Sequence, residues 1–295
     1  MKKVEETALW TALVTPMNHD ETIDYEGLES LVRRQEQAGN GILLLGSTGE
    51  GLALTREEKL DVIDFVTAMD PDVPLMAGVG GFQESEQREW IEQCNATRID
   101  AFLMVSPLYA KPGPKGMIAW FRSLLDTAGR PCMLYNIPSR TGSRILPSVM
   151  RELAKHPRLW SLKEASGNLE TYQEFLEHVP GLPLYSGDDA QLPIYAEVGC
   201  NGLVSVAANV WPEATHLYVD RTLRGESSSF RELWQKASDL LFSAPNPVPV
   251  KRLLAQKKWI GSDQLRLPLL SSELETMDPL LDADREIRQW VQESR

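Results

Sequence analysis

Short apolar runs alternate with longer amphipathic segments along most of the chain. Runs at 11–16 (TALVTP), 42–46 (ILLLG), 74–79 (PLMAGV), 101–106 (AFLMVS) and 132–137 (CMLYNI) are candidate strands, and 159–164, 183–187 and 201–206 bring the number to eight. Runs of this kind between helices suit strands buried on both faces of a parallel sheet. The intervening segments carry helix signals. Thr55-Arg56-Glu57-Glu58 has the form of a capping box, and Leu60, Ile63, Phe65 and Val66 follow as apolar positions. A helix starting near Asp24 is expected to stop around Gly39, a suitable residue just past a helix end. Segments 84–98, 115–128, 146–156, 168–179, 189–198 and 212–224 complete the set. Eight strands, each followed by a helix, predict an α/β fold of the closed (β/α)8 barrel type, also called a TIM barrel.

The alternation stops after Gly225. Residues 226–295 read as mainly helical, interrupted by the proline-rich stretch Ala244-Pro245-Asn246-Pro247-Val248-Pro249, which is expected to be extended or turning. Two units follow from this pattern: a catalytic barrel at 1–225 and a C-terminal helical module at 226–295. The module's simplest role is packing and contacts between subunits.

Composition narrows the classes of function. Thirty Lys and Arg against 42 Asp and Glu give a net charge of −12 without a basic stripe, which disfavours nucleic acid and anionic membranes as partners. Small anions are still compatible, because local cations and backbone N–H groups outweigh distant charge within a Debye length. Three widely spaced cysteines (Cys94, Cys132, Cys200) include no CxxC pair and fit a reduced, cytoplasmic setting. The four histidines lack metal-ligand spacing, so no bound metal is expected. No run approaches a membrane span, and the N-terminus lacks the apolar region of a signal peptide.

In a barrel of this type the chemistry sits at the C-terminal ends of the strands. The sixth strand reads Leu159-Trp160-Ser161-Leu162-Lys163-Glu164. Alternation puts Trp160 and Leu162 under the helices and aims Ser161 and Lys163 into the barrel. An inward lysine is costly as an ammonium; a pKa lowered by about 3 units corresponds to roughly 4 kcal/mol against the charged form. That suits a nucleophilic amine. The other reading is a surface lysine after a strand placed one residue out of register.

The fifth strand places Met133, Tyr135 and Ile137 on one face and is followed by Arg140. Tyr135 is either an amphipathic filler of the barrel mouth or an acid/base group beside an anion clamp. After the second strand, Gly46-Ser47-Thr48-Gly49-Glu50 forms either an ordinary turn or a loop whose N–H groups face an anion. The fourth and seventh strands add Tyr109 and the Asp188-Asp189 pair.

With these motifs in order, the chain resembles the superfamily of dihydrodipicolinate synthases and N-acetylneuraminate lyases, and the synthases most closely. The resemblance covers nearly the whole chain and rests on GSTGE (46–50), YNIPSRTG (135–142), KEASGN (163–168), SGDD (186–189), NPVPVK (246–251) and LRLP (265–268). It implies that Lys163 forms an imine with pyruvate and that Tyr135 passes protons. It also implies a relay in which Ser47 links Tyr135 to Tyr109 of a neighbouring subunit. Thr48 would bind the pyruvate carboxylate, the Val204 backbone would lie along the pyruvate, and Arg140 would receive the carboxylate of L-aspartate 4-semialdehyde. The resemblance further implies a homo-oligomer, a tetramer as a dimer of dimers, with no cofactor beyond the covalent imine.

Two positions depart from the synthase pattern. Ser47 stands where a threonine is usual; it keeps the hydroxyl and loses the β-branch that restricts χ1. Phe82 and Leu108 stand where lysine-inhibited members carry an asparagine and a tyrosine, although Glu86 matches the family's glutamate. Weak or absent inhibition by lysine is therefore expected. Two other functions share most of these residues: an aldolase or lyase for a sugar acid, and a catalytically silent pyruvate-binding relative.

Overall fold

A computed structural model describes residues 4–294. Eight parallel strands close into a barrel, with β1 (Leu9–Ala12) bonded to both β2 (Gly41–Leu44) and β8 (Gly202–Ser205). Between them run β3 (Leu75–Val79), β4 (Ala101–Val105), β5 (Cys132–Asn136), β6 (Leu159–Glu164) and β7 (Leu184–Ser186) in chain order. The barrel expected from the alternation is thus the fold of the chain. Several boundaries move, β1 the most: it ends at Ala12 and begins two residues before the predicted run, where Leu9 and Trp10 pair with Leu203 and Val204. Leu13 continues the contact through its N–H to the Leu43 carbonyl, 2.9 Å.

Strand faces divide the core in two. Inside the barrel lie Trp10, Leu43, Met76, Met133, Tyr135 and Val204, while Ile42, Phe102, Leu134 and Leu162 face the helices outside. Trp160 departs from the predicted alternation. Cys132 pairs with Leu159 but Met133 pairs with Ser161, so Trp160 is the extra residue of a β-bulge. Its indole packs within the barrel against Trp10 and Tyr185, with centroids 6.1 and 5.5 Å away, and not under the helices. Beyond the bulge the alternation resumes, so Leu162 faces out and Lys163 faces in.

Some of the helices around the barrel start where a side chain satisfies their free N–H groups. Asp24 caps α1 (Tyr25–Ala38) by accepting from the Gly27 N–H at 2.8 Å, and Gly39 ends it at φ 72°. Thr55 and Glu58 form both halves of the capping box on α2 (Arg56–Ala68). Next come α3 (Glu84–Asn95), α4 (Pro114–Thr127), the single turn α5 (Pro138–Thr141) and α6 (Pro147–Leu153). Then follow α7 (Leu169–His178), α8 (Leu192–Ala196) and α9 (Pro212–Leu223).

The C-terminal segment adds α10 (Arg231–Leu241), α11 (Val248–Gln256) and α12 (Asp278–Glu293). The proline-rich stretch is not wholly extended: α11 begins at Val248 with Pro249 in its first turn, where a missing N–H costs nothing. Trp234 of α10 stacks on Tyr218 of α9 at 4.2 Å, and the Trp211 indole donates to Asp284 of α12 at 2.8 Å. The segment between α11 and α12 crosses to the barrel mouth, where the Ser262 hydroxyl donates to the Met17 carbonyl at 2.8 Å.

Candidate active site

Strand β6 delivers Lys163 to the barrel mouth, opposite Tyr135 on β5 and Tyr185 on β7. The side chain is buried, with 5% of its surface exposed. Its Nζ lies 4.1 Å from the centroid of the Tyr135 ring. Burial lowers the amine's pKa to about 7; the charge of Asp189 opposes the shift and that of Arg140 adds to it. Lys163 is therefore substantially uncharged at neutral pH. Its stem fits because residue 187 is glycine: a Cβ there would stand 2.6 Å from Lys163 Cε.

Tyr135 is buried beside this amine, and its hydroxyl is hydrogen-bonded to the Ser47 side chain. Burial pushes the phenol above its usual pKa, against the pull of Arg140 and of the Ser47 bond. The phenol stays protonated at neutral pH, so it starts as a proton donor.

The loop carrying Ser47 and Thr48 closes on itself through Gly51 N–H to Gly46 O at 3.1 Å and Glu50 N–H to Ser47 O at 3.2 Å. The N–H groups of Ser47, Thr48 and Gly49 donate to no acceptor among the described residues. Consecutive free N–H groups of this kind suit a carboxylate. Thr48 Oγ1 accepts from Asn246 Nδ2 at 3.0 Å, which ties the loop to the C-terminal segment.

A cavity of about 1280 Å³ opens from this point, lined by Ser47, Tyr135, Ile137, Arg140, Leu108 and Tyr109 among others. Lys163 and Thr48 are buried, and Val204 is fully buried on β8. Arg140 sits in the exposed turn α5 with its guanidinium in no ion pair among the described residues. Lys163, Tyr135, Ser47 and Arg140 are thus brought together. Tyr109 is not joined to them within the chain. It is 92% exposed at φ 68°, a left-handed backbone that projects the ring into solvent.

Two buried carboxylates have no role in the sequence reading: Asp189, whose charge acts on the amine, and Glu164, the next residue along β6. Asp189 is buried, accepts from the Val206 N–H at 2.9 Å and from the Ser205 hydroxyl, and has its pKa raised by burial to about 6. Glu164 is buried too and accepts from Asn136 Nδ2 and the Ser166 N–H, each at 2.6 Å. Both fix the loops that follow neighbouring strands. Their signal in the sequence is the acidic positions of the motifs SGDD and KEASGN.

Comparison with known proteins decides the family. The model of the dihydrodipicolinate synthetase family matches residues 5–283. The chain belongs to that family. A 4-hydroxy-tetrahydrodipicolinate synthase of Francisella philomiragia is 49% identical over 283 residues, covering 96% of each chain. Among solved structures, the dihydrodipicolinate synthase of Cyanidioschyzon merolae with lysine bound superposes with a TM-score of 0.91 at 30% identity, over 97% of this chain and 99% of that one. The chloride-inhibited dihydrodipicolinate synthase from Acinetobacter baumannii, complexed with pyruvate, gives a TM-score of 0.89 at 28% identity, over 96% and 99%. The resemblance read from the strand-end motifs is the family shown by these matches.

Proposed function

We propose that the protein is a 4-hydroxy-tetrahydrodipicolinate synthase, a carbon–oxygen lyase of the hydro-lyase type, that condenses pyruvate with L-aspartate 4-semialdehyde on Lys163. The observation that carries this reading is an amine buried at a strand end, with its pKa lowered to about 7, 4.1 Å from the ring of a protonated tyrosine. The Lys163 amine attacks the pyruvate ketone, and loss of one water leaves the imine. Tyr135 donates the proton that the departing hydroxyl needs, and Ser47 holds the phenol in place. The imine withdraws electrons, so the methyl carbon loses a proton and becomes an enamine. The enamine carbon bonds to the aldehyde carbon, and the substrate's own amine then displaces Lys163 as the ring closes. The covalent imine replaces any external cofactor.

Recognition follows charge. The free N–H groups of Ser47, Thr48 and Gly49 take the pyruvate carboxylate, Val204 lines the far side, and Arg140 takes the carboxylate of the semialdehyde. The exposed Tyr109 reaches the relay of a second copy, so the working unit is a homo-oligomer, a tetramer as a dimer of dimers. Residues 1–225 form the catalytic barrel and 226–295 a helical module. No helix among the described residues is long and apolar enough to cross a membrane, and the setting proposed is the cytoplasm. Parallel assays of semialdehyde condensation and of sugar-acid cleavage test the substrate. Condensation is expected, and cleavage alone would replace this reading with that of a sugar-acid lyase.

Two expectations follow for pH and regulation. Only the free amine attacks, so kcat/KM for pyruvate should rise about tenfold from pH 6 to pH 8 and flatten above an inflection near 7. An amine of ordinary basicity would instead climb without levelling to beyond pH 10. Lysine should inhibit weakly or not at all, because the exposed Phe82 and the Leu108 side chain offer no hydrogen bond to its carboxylate. Titration of the reaction with lysine checks this, and inhibition at low micromolar lysine would contradict it.

A further inference from the structure

The loop of residues 46–51 is crowded and bent into backbone that side chains avoid. Leu45 and Glu50 both have left-handed φ, 59° and 51°. Gly51 has no room for a side chain, since a Cβ there would stand 2.1 Å from the Leu45 carbonyl oxygen. Such a backbone persists only where its surroundings over-determine it. The side chain of Glu50 shows what does so.

Glu50 is paired with Lys251 of α11 at 2.5 Å, with side-chain exposures of 2% and 0%. Its other oxygen accepts from the Arg266 N–H at 3.1 Å, and Lys251 also donates to the Gln264 carbonyl at 2.8 Å. Two residues upstream, Asn246 holds the Thr48 hydroxyl. Every one of these outside partners lies between residues 246 and 266, beyond the barrel. A buried ion pair is a poor choice for attachment alone, because an apolar pair of similar volume is usually as good or better. What ions and hydrogen bonds add is direction.

We propose that Glu50 and Lys251 are a positioning pair through which the C-terminal segment sets the backbone of residues 46–51, so that the N–H groups of Ser47, Thr48 and Gly49 converge on the pyruvate carboxylate. Neither side chain touches the reacting atoms. This rests on the reading of the site as one for pyruvate. It makes the C-terminal segment part of the substrate site and not only an attachment.

The test uses Glu50→Gln, Lys251→Met and the double variant Glu50→Met/Lys251→Met. For each, the melting temperature is measured, together with the pyruvate concentration that half-saturates borohydride trapping at Lys163, well below that variant's own melting point. The single variants leave a buried group unpaired and should melt early. The double variant should recover much of that loss. All three should need tenfold or more pyruvate for half-trapping, while the trapped fraction at saturating pyruvate stays that of the wild type. Wild-type half-saturation in any of the three would overturn the proposal and leave the pair a structural one. Failure of the wild type itself to trap pyruvate would sink the pyruvate reading instead, a separate result.

Discussion

Lys163→Met should abolish condensation, by roughly 10⁴-fold or more as for loss of other covalent nucleophiles, and leave a protein that is more stable than the wild type. The two effects have one cause. Folding holds the amine's pKa at about 7 against a usual 10.5, so between those values the unfolded chain binds more protons than the folded one. Stability therefore increases as pH rises from about 7 to about 10.5, and the cost of burying the amine is fully present below 7. At pH 8 that cost is about 3 kcal/mol. Methionine fills a similar volume without a charge to desolvate. Thermal melts across this pH range should show a steeper rise in the wild type than in the variant, which keeps only the slope of other buried amines such as Lys251 and Lys257. A variant that melts earlier at every pH would contradict the buried, deprotonated lysine.

Gly187→Ala should cost about 10²-fold in kcat/KM, the scale of a displacement near 1 Å at a reacting group. The new Cβ would lie 2.6 Å from Lys163 Cε and 2.6 Å from Ala165 Cβ. Real side chains do not approach so closely, and the flexible lysine stem is the partner that gives way. The fold should survive with a loss of about 1–3 kcal/mol, the usual cost of overpacking. The Gly187 N–H bond to the Glu164 carbonyl, 2.8 Å, uses backbone alone and remains available. Steady-state kinetics beside a melting curve separate displacement from unfolding. Wild-type kcat/KM in a folded variant would mean that the stem has room the structure denies it.

How far the chain could be read in advance depended on the range of the contacts involved. The inward aim of Lys163 followed from local alternation on β6, and the capping box at Thr55 from four adjacent residues. Trp160, three residues before the lysine, was misplaced because a β-bulge is a property of two paired strands and leaves no mark in one. The start of β1 is hidden for a related reason: Leu9 becomes strand by pairing with β8, from the far end of the chain, and Trp10 by pairing with both β8 and β2. Pro249 belongs both to the proline-rich break and to the helical run from Val248; it sits in the first turn of α11, where a proline does not break the helix.

The same range limit shaped the reading of the site. Ser47 and Tyr135 were joined through motif resemblance, and the structure supplies the bond between them. Asp189 was visible only as one of two adjacent acids, since its partners Ser205 and Val206 are 16 and 17 residues away. The Glu50–Lys251 pair spans the barrel and the C-terminal segment, and no periodicity connects them. Tyr109 shows the opposite case. Its exposure and its left-handed backbone are local features of the structure, and motif resemblance alone suggests a partner for the ring.

Everything proposed for this site depends on a nucleophilic amine at one position. The direct measurement is borohydride reduction in the presence of pyruvate, followed by mass spectrometry of the intact protein and of its peptides. One pyruvate-derived adduct per chain is expected, on the peptide that carries Lys163 and on no other lysine. An unmodified Lys163, or an adduct spread over surface lysines, would contradict the account.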